Sequence, residues 1–440
     1  MNCFSGSIIG RPVVAEVPAR GRSPGLLLWC LMTLVVWATS SAAAEPPIDS
    51  LIYDIEYSVR PDPSTRELLV TFELRQSKAL LREVSMPVDS RITGLQADGN
   101  LHIDADLARW RPPATGGAMS WKIKVDHQRN GAGFDAWLGP AWGLLRAEDI
   151  IPRAATRTLR GAHSRTRLSF DLPAGWSVVT QYYGKDYQFL VANHERRFDQ
   201  PSGWIVMGKI GVRRETIAGM RIAVAAPIGE SVRRMDILAM LHWTLPELAR
   251  LLPELPARLT IVSAGEPMWR GGLSAPQSLF IHAERPLISE NGTSTLLHEI
   301  MHLALGIKVE PGFDWIVEGL AEYYSLELLM RSGTISGSRY TTAKSAQAEW
   351  ARSATSLCQR TSSGSTSALA VTIFTALDAE IRERTGGSAS LDDLVRDLSA
   401  GKQPVSLVIL SHLAERLMSH KPDALHIDKL PGCRNIAGGP

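Results

Sequence analysis

Between residues 45 and 216, apolar and polar positions alternate over short stretches, as in strands that bury one face. These stretches cover residues 51–59, 68–74, 121–125, 168–172 and 176–182. Clusters rich in Pro, Gly, Asp and Ser separate them, for example at residues 61–64 and 112–117. The pattern predicts an N-terminal all-β domain over residues 45–216, built as a sandwich or a saddle-shaped sheet.

The pattern changes after residue 217, where helical spacing of apolar residues becomes dominant. Two strands are still predicted, at residues 220–226 and 258–263. Helices are predicted at residues 231–252, 296–305, 315–330, 367–385, 391–398 and 404–418. The chain is therefore expected to have an α+β fold, in which a mainly helical domain over residues 217–440 follows the β domain.

The helix predicted at residues 296–305 carries the sequence His-Glu-Ile-Met-His, from His298 to His302. Ser294 or a neighbouring threonine can cap its start, and Gly306 stands where a helix commonly ends. Apolar residues surround almost the whole helix, so it is expected to be buried. Because unpaired polar groups are costly to bury, the two histidines and Glu299 need partners there. A metal ion would supply them, whereas ordinary hydrogen bonds in the core are the simpler alternative.

The next predicted helix carries Glu318 and Glu322, one turn apart on one face. His298, His302 and Glu318 would form a His₂Glu set for one zinc ion per chain, with the fourth position open as in catalytic zinc sites. Glu322 would accept a hydrogen bond from the second ring nitrogen of a ligand histidine, or it would be a solvated carboxylate.

This arrangement predicts a zinc metallopeptidase. Zinc lowers the pKa of a bound water towards about 7 and polarises the scissile carbonyl group. Glu299 would act as general base and pass the proton to the leaving amine. A further donor would stabilise the oxyanion, and Tyr323 and Tyr324 are candidates, although each could be a packed aromatic residue.

The composition and the N-terminal sequence indicate the partners and the cellular location to expect. A net charge of +2 over 440 residues gives no reason to expect a nucleic-acid partner. The arginine-containing leader, the apolar run at residues 26–36 and the three alanines at residues 42–44 resemble a signal peptide over residues 1–44, which could alternatively stay as an anchor. No stable membrane span is expected in the mature chain, which would be periplasmic or secreted. Cys358 and Cys433 would then be the remaining cysteines and are expected to form a disulfide.

The motif residues resemble those of the gluzincin peptidases, especially the glycyl-aminopeptidase-like and the alanyl- or leukotriene-type aminopeptidases. The resemblance rests on the two histidines with Glu299, on the segment from Trp315 to Tyr324, and on softer similarities at residues 172–176, 198–201 and 377–393. It implies a thermolysin-like catalytic domain behind the β domain. It also implies that residues 270–275 line the substrate, with Gly271, Gly272 and Leu273 as candidate binding residues.

Three departures from the family pattern bear on activity. The spacer between His302 and Glu318 is short, which favours the glycyl-type branch. Where the family carries an acidic residue for the substrate's α-amine, this chain has Ser274 and Ala275. Where the family has an oxyanion tyrosine, residues 365–368 read Ser-Thr-Ser-Ala. A peptide or protein substrate is therefore expected, cleaved with endopeptidase or relaxed exopeptidase specificity.

Two other hypotheses fit the same residues. The chain could be a peptide-binding module that keeps the zinc site but has lost efficient turnover. Alternatively, zinc could be purely structural, although a closed site needs four ligands and the sequence supplies three obvious ones. The sequence leaves the oligomeric state unknown.

Overall fold

The computed structural model describes residues 51–129, 133–192 and 198–434. The leader proposed for residues 1–44 lies outside this range. The described residues fall within one compact unit. They comprise an N-terminal all-β region and a mainly helical C-terminal part, as the sequence predicts.

The strands of the first region are short and numerous. In chain order they are β1 (Ile52–Asp62), β2 (Glu67–Arg75), β3 (Leu81–Pro87), β4 (Ile92–Ala97), β5 (Asn100–Asp104), β6 (Leu107–Arg111), β7 (Gly116–Lys124), β8 (His127–Gln128), β9 (Phe134–Leu138), β10 (Trp142–Arg146), β11 (Ala155–Thr158), β12 (His163–Phe170), β13 (Ser177–Val179), β14 (Tyr183–Lys185), β15 (Gln188–Val191) and β16 (Trp204–Gly208). They form three sheets, with orders β14-β15-β12-β1-β2-β7-β4, β13-β16-β10-β9-β8 and β11-β3-β6-β5.

The longest of these strands alternate as the sequence pattern predicts. In β1 the residues facing inward are Tyr53, Ile55, Tyr57 and Val59, each at most 3% exposed. They pack with Phe72 of β2 and with Trp110 and Trp121 in one core of the β region. Burial of one face of each strand therefore holds the sheets together.

A fourth sheet belongs to the C-terminal part. Its strands are β17 (Ile210–Ile217), β18 (Met220–Pro227), β19 (Arg258–Ala264), β20 (Gly272–Ala275) and β21 (Ser278–His282). Their order is β17-β18-β19-β21-β20, so β20 lies at an edge and runs antiparallel to β21. The domain boundary predicted between residues 216 and 217 falls at the end of β17, and the division into two domains stays a prediction.

Most of the helices follow this point in the chain. They are α1 (Ala147–Ile150) in the β region, then α2 (Arg234–Leu251), α3 (Thr295–Leu305), α4 (Asp314–Arg331), α5 (Gly337–Ala351), α6 (Ser365–Arg384), α7 (Leu391–Ala400) and α8 (Leu407–Met418). Short 3₁₀ turns follow at Asp423–Leu425 and Ile427–Lys429. Among the described residues, no helix combines the length and the apolar character needed to cross a membrane.

The fourth sheet has two different faces. Ile222, Val224, Leu259 and Ile261 belong to the large core formed with the helices. Ala225 and Val262 belong instead to a smaller core that includes Trp204, Val206 and Phe280, and this core joins the sheet to β16 of the β region. The sheet is therefore covered by helices on one side and by the β region on the other.

Helix α5 was missed by the sequence analysis. Its residues are mostly small and polar, and only Ala343, Gln347 and Ala351 are buried. A helix with so few apolar residues gives no helical hydrophobic period. Ser336 caps it by accepting a hydrogen bond from the backbone N–H of Arg339.

Candidate metal centre

The two motif histidines lie on α3, which begins and ends as predicted. The side chain of Ser294 accepts a hydrogen bond from Leu297 N, and Gly306 ends the helix in the left-handed conformation at φ 59°. His298 and His302 are one turn apart, and their Nε2 atoms are 3.1 Å from each other. Both imidazoles therefore point towards the same position.

Helix α4 brings Glu318 to that position. Its two carboxylate oxygens lie 3.4 Å from Nε2 of His298 and 3.4 Å from Nε2 of His302. A tetrahedral zinc ion with N and O ligands at about 2.1 Å would separate those ligands by about 3.4 Å. The three ligand atoms lie within 4.8 Å of one another, so this donor set fits zinc with one position left for water or substrate.

The second ring nitrogen of His298 also has a hydrogen-bond partner. Nδ1 of His298 lies 3.1 Å from a carboxylate oxygen of Glu322. The other oxygen of Glu322 accepts a hydrogen bond of 2.9 Å from Nε2 of Gln347. Glu322 thus orients the ring so that Nε2 faces the candidate metal position. Gln347 was missed because it lies on α5, whose helical pattern the sequence does not show.

Glu299 lies on the same helix and is only 8% exposed. Burial raises the pKa of Glu299, while the charge of His298 and hydrogen bonds with Ser274 offset part of this rise. Ser274 belongs to the edge strand β20. Glu299 is therefore placed between the histidine helix and this strand.

Strand β20 lies directly against α3. A Cβ atom on Gly272 would be 2.8 Å from Cγ2 of Thr295 and 2.9 Å from Cγ of Glu299, so only glycine fits without displacement. The carbonyl group of Gly271 accepts a hydrogen bond of 2.9 Å from the N–H of His282 at the end of β21. Backbone groups alternate along an antiparallel pair, so Gly272 and Ser274 direct theirs towards the open edge.

Leu273 has a different environment from its neighbours. It packs beside the core that joins the fourth sheet to β16. Its carbonyl oxygen accepts a hydrogen bond of 2.9 Å from Nε1 of Trp204. Of the three predicted substrate-binding residues, Gly272 therefore lies nearest to the candidate catalytic group, while Gly271 and Leu273 belong to the opposite face of the strand.

Tyr323 and Tyr324 occupy other faces of α4 from Glu318. At about 100° per residue, they are displaced from Glu318 by about 140° and 240° around the helix. The Tyr324 hydroxyl donates to Asp392 at 3.0 Å. Tyr323 is 3% exposed and packs against Tyr324 and the ammonium group of Lys344. Both tyrosines are core residues here, and their catalytic assignment has no support from this geometry.

Glu327 of α4 also lies in a largely buried group of polar side chains. It accepts a hydrogen bond of 3.1 Å from Nε of Arg331, and it accepts another from the Tyr340 hydroxyl. Its side chain is only 14% exposed. Its partner Tyr340 lies on α5, the helix that the sequence analysis missed.

The ionisable groups of this cluster shift one another's pKa values. Burial disfavours a charged imidazole, yet hydrogen bonds to Glu318 and Glu322 outweigh this and raise the pKa of His298 to about 10. Burial and the neighbouring charge of His298 lower the pKa of His302 to about 4. Burial would raise the pKa of Glu318, but His298 and His302 lower it. The pKa values of the two histidines are thus shifted in opposite directions, and the shift of Glu318 favours its ionised form.

The predicted disulfide is present between Cys358 and Cys433, 75 residues apart in the chain. Cys358 belongs to the loop between α5 and α6. In the same loop, the N–H of Ser362 donates to Oδ2 of Asp314 at 2.6 Å. Asp314 is the first residue of α4, so the loop contacts the beginning of the helix that carries Glu318.

Comparison with known proteins places this arrangement in a known fold. No family model matches the chain, and no curated protein matches it with significance. Solved structures do match. An aminopeptidase N family protein from Idiomarina loihiensis is 17% identical, with a TM-score of 0.59 over 78% of this chain and 70% of that chain.

Two further matches have similar scores. An M1 zinc metallopeptidase variant from Deinococcus radiodurans is 16% identical, with a TM-score of 0.52 over 85% of this chain and 91% of that chain. Yeast leukotriene A4 hydrolase in complex with bestatin is 16% identical, with a TM-score of 0.53 over 87% of this chain and 68% of that chain. At these identities the likeness concerns the fold. The chain thus shares the fold of gluzincin zinc metallopeptidases of the M1 type, as the resemblance of its motifs implies.

Proposed function

We propose that this chain is an exported zinc peptidase that hydrolyses peptide bonds in a peptide or protein substrate. The observation that carries the proposal is that Nε2 of His298 and Nε2 of His302 lie 3.1 Å apart and that each lies 3.4 Å from one of the two carboxylate oxygens of Glu318, distances close to the edges of a tetrahedral site. Glu299 beside this site and Glu322 behind His298 add the general base and the orienting carboxylate. The M1-type fold supports a thermolysin-like arrangement of α3 and α4.

Each group has a defined role in this proposal. His298, His302 and Glu318 would hold the ion, which when bound would acidify a water molecule and polarise the scissile carbonyl group. Glu299 takes a proton from the water and gives it to the leaving amine, and its raised pKa suits both transfers. The outward backbone groups of Gly272 pair with an extended substrate chain, as sheet edges do with peptides.

The amine-binding position distinguishes this chain from the aminopeptidases that it resembles. Ser274 stands there, and a hydroxyl group cannot form an ion pair with an ammonium group. Glu266 and Glu284 could have replaced the acidic residue, but Arg270 pairs with both, at 2.7 and 3.3 Å. We therefore propose endopeptidase or relaxed exopeptidase specificity.

Export is supported by the disulfide, since such bonds persist mainly in oxidising compartments. A cleaved signal peptide over residues 1–44 remains part of the proposal, with a retained anchor as the alternative. A mass spectrum of the mature protein from the periplasm or the medium would give its first residue and decide between them.

A catalytically weak peptide-binding module is the second candidate. The position of the candidate tyrosines favours it, because Tyr323 is buried in the core and the hydroxyl group of Tyr324 is bound to Asp392. Such a protein would bind zinc and peptides but release no cleavage products.

The test combines metal analysis with mass-spectrometric profiling of a peptide library. We expect one zinc ion per chain, and we expect Glu299→Gln to keep the zinc while losing about 10²- to 10⁴-fold in cleavage rate. Glu290→Gln is the matched control, because Glu290 is exposed and should leave both unchanged. Undiminished cleavage by Glu299→Gln would contradict the mechanism, and zinc without any cleavage would favour the binding module.

A further inference from the structure

A second concave site lies on the fourth sheet, on the face turned away from the helices. Three neighbouring strands place Thr216, Arg221 and Arg258 side by side, since Thr216 pairs with Arg221 and Arg221 pairs with Arg258. Arg214 belongs to the same face, because it pairs with Ala223 of β18. Paired residues on adjacent strands point to the same side of a sheet.

This arginine row lines a cavity of about 560 Å³. The opposite wall is formed by the β region, at the segment between Val178 and Gly184 and at Phe189. The lining therefore combines guanidinium groups with the side chains of Tyr182, Tyr183 and Phe189. A cavity of this size holds a small organic molecule.

The ring of Tyr183 contacts the guanidinium groups of two of the three arginines. The guanidinium carbon of Arg221 lies 4.5 Å from the centroid of its ring, and that of Arg258 lies 3.8 Å from it. Two like charges on adjacent strands destabilise each other unless an anion lies between them. Burial and the charge of Arg221 accordingly lower the pKa of Arg258.

The described part of the chain supplies no counter-charge at this place. Within residues 51–129, 133–192 and 198–434, no carboxylate forms an ion pair with Arg214, Arg221 or Arg258. Glu215 borders the cavity, but it pairs with Ile222 on the helix-facing side, and its carboxylate is bound to His242 at 2.5 Å. Three arginines thus face one cavity without an acidic partner among the residues that the structure describes.

We propose that this cavity binds a small phosphate monoester, with the phosphate group held by Arg221, Arg258 and Arg214 and the organic group against the tyrosines. Three guanidinium groups match the charge of about −1.5 to −2 on a phosphate monoester better than that of a single carboxylate. Guanidinium groups also suit bidentate contacts to phosphate oxygens. The site lies on the opposite face of the sheet from Glu299, so it is independent of the proposed peptidase.

The test is calorimetric titration of the full chain with phenyl phosphate, at an ionic strength held constant with sodium chloride. We expect saturable binding that weakens at least about tenfold in Arg258→Gln and in Arg221→Gln, because each loses a charge-assisted hydrogen bond. Arg213→Gln is the matched control. It removes the same charge from the same sheet, on strand β17, but Arg213 pairs with Val224 on the helix side, so binding should be unchanged.

Several results would overturn the proposal. Absence of saturable binding by the wild-type chain would do so. Equal binding by Arg258→Gln, Arg221→Gln and Arg213→Gln would also do so, because phosphate bound at the histidine cluster would not depend on these arginines. A second titration uses phosphatidylcholine vesicles with and without phosphatidic acid. Arginine-dependent binding to the phosphatidic acid vesicles would identify a lipid headgroup as the phosphate source, whereas binding to phenyl phosphate alone would identify a free molecule. Circular dichroism of each variant verifies that it is folded.

Discussion

At the scale of single residues, Gly272 shows how closely strand β20 approaches Glu299, the candidate general base. The missing side chain leaves the space that Cγ of Glu299 and Cγ2 of Thr295 occupy. A larger residue would have to move Glu299 or the strand. The position of Glu299 relative to the two histidines therefore depends on a glycine in another element.

We expect Gly272→Ala to lower kcat/KM at least about tenfold, because a shift of Glu299 by a fraction of an ångström misaligns the proton transfer. Gly337→Ala is the control, since no atom lies within 4 Å of its Cβ position, and it should leave kcat/KM unchanged. The measurement is initial rates on the best library peptide, with zinc content determined in parallel. Full activity of Gly272→Ala would show that the close approach has no catalytic importance.

At the scale of elements, α4 has a different partner on each of its faces. One face presents Glu318 and Glu322 to the histidines. Its C-terminal end is tied to α7, because Arg331 donates to both carboxylate oxygens of Asp392 at 2.8 and 3.0 Å. Asp392 also accepts the hydrogen bond from Tyr324. This pair thus fixes the helix that carries the third candidate ligand.

We expect Asp392→Asn to lower the free energy of unfolding by about 2 kcal/mol at neutral pH, because it removes charged hydrogen bonds from a half-buried pair. Burial opposes ionisation, but Arg331 and Tyr324 lower the pKa of Asp392 below its ordinary 3.8. The folded state therefore binds the proton less tightly than the unfolded state does. The stabilisation is complete above pH 3.8 and is lost as the pH falls through the lowered pKa.

Urea denaturation of wild type and Asp392→Asn over this pH range measures the effect. The difference between the two proteins should decrease as the solution becomes acidic. Asp106→Asn, at an exposed position, should show no such difference. A difference that is the same at all pH values would contradict the assigned role of the ionised carboxylate.

At the scale of the whole molecule, the disulfide connects the end of the described chain to the loop beside α4. Cys358 and Cys433 are 5% and 0% exposed and belong to the same core as α3 and α4. The bond therefore closes a large loop that includes α6, α7 and α8. Its main effect is expected in the unfolded state, whose freedom it restricts.

We expect the double variant Cys358→Ala and Cys433→Ala to be less stable by about 4 kcal/mol, the value for a loop of this length. Urea denaturation with and without reductant gives the comparison. Reductant should destabilise the wild type and leave the double variant unchanged. Equal stability of the two proteins under oxidising conditions would show that the bond adds nothing to the fold.

The candidate ligands could be predicted from the sequence because their spacing sets their geometry. His298 and His302 lie four residues apart on a strongly apolar, capped helix, and Glu318 follows on the next helix. The disulfide could be predicted because Cys358 and Cys433 are the two cysteines of the sequence that lie outside the proposed leader. In each case a local pattern or a count was sufficient.

Other features depend on contacts between distant segments. Gln347 and Tyr340 lie on α5, which is helical because Ser336 caps it and three of its residues pack against neighbours, and not because of its own pattern. The arginine row arises from the pairing of β17, β18 and β19, which brings together residues from 214 to 258. A linear pattern does not contain such a register, and it does not show which of several buried tyrosines faces a site.

The distance of 3.1 Å between the Nε2 atoms of His298 and His302 has a consequence for how the proposed zinc ion would bind. Zinc binds a histidine through a ring nitrogen that carries no hydrogen, so any hydrogen on either Nε2 atom must leave before the ion can be held there. Loading is therefore an exchange of a proton for a cation, coupled to the acidity of the surroundings. Protein prepared in mildly acidic buffer would therefore contain less zinc than protein prepared from the same cells at neutral pH.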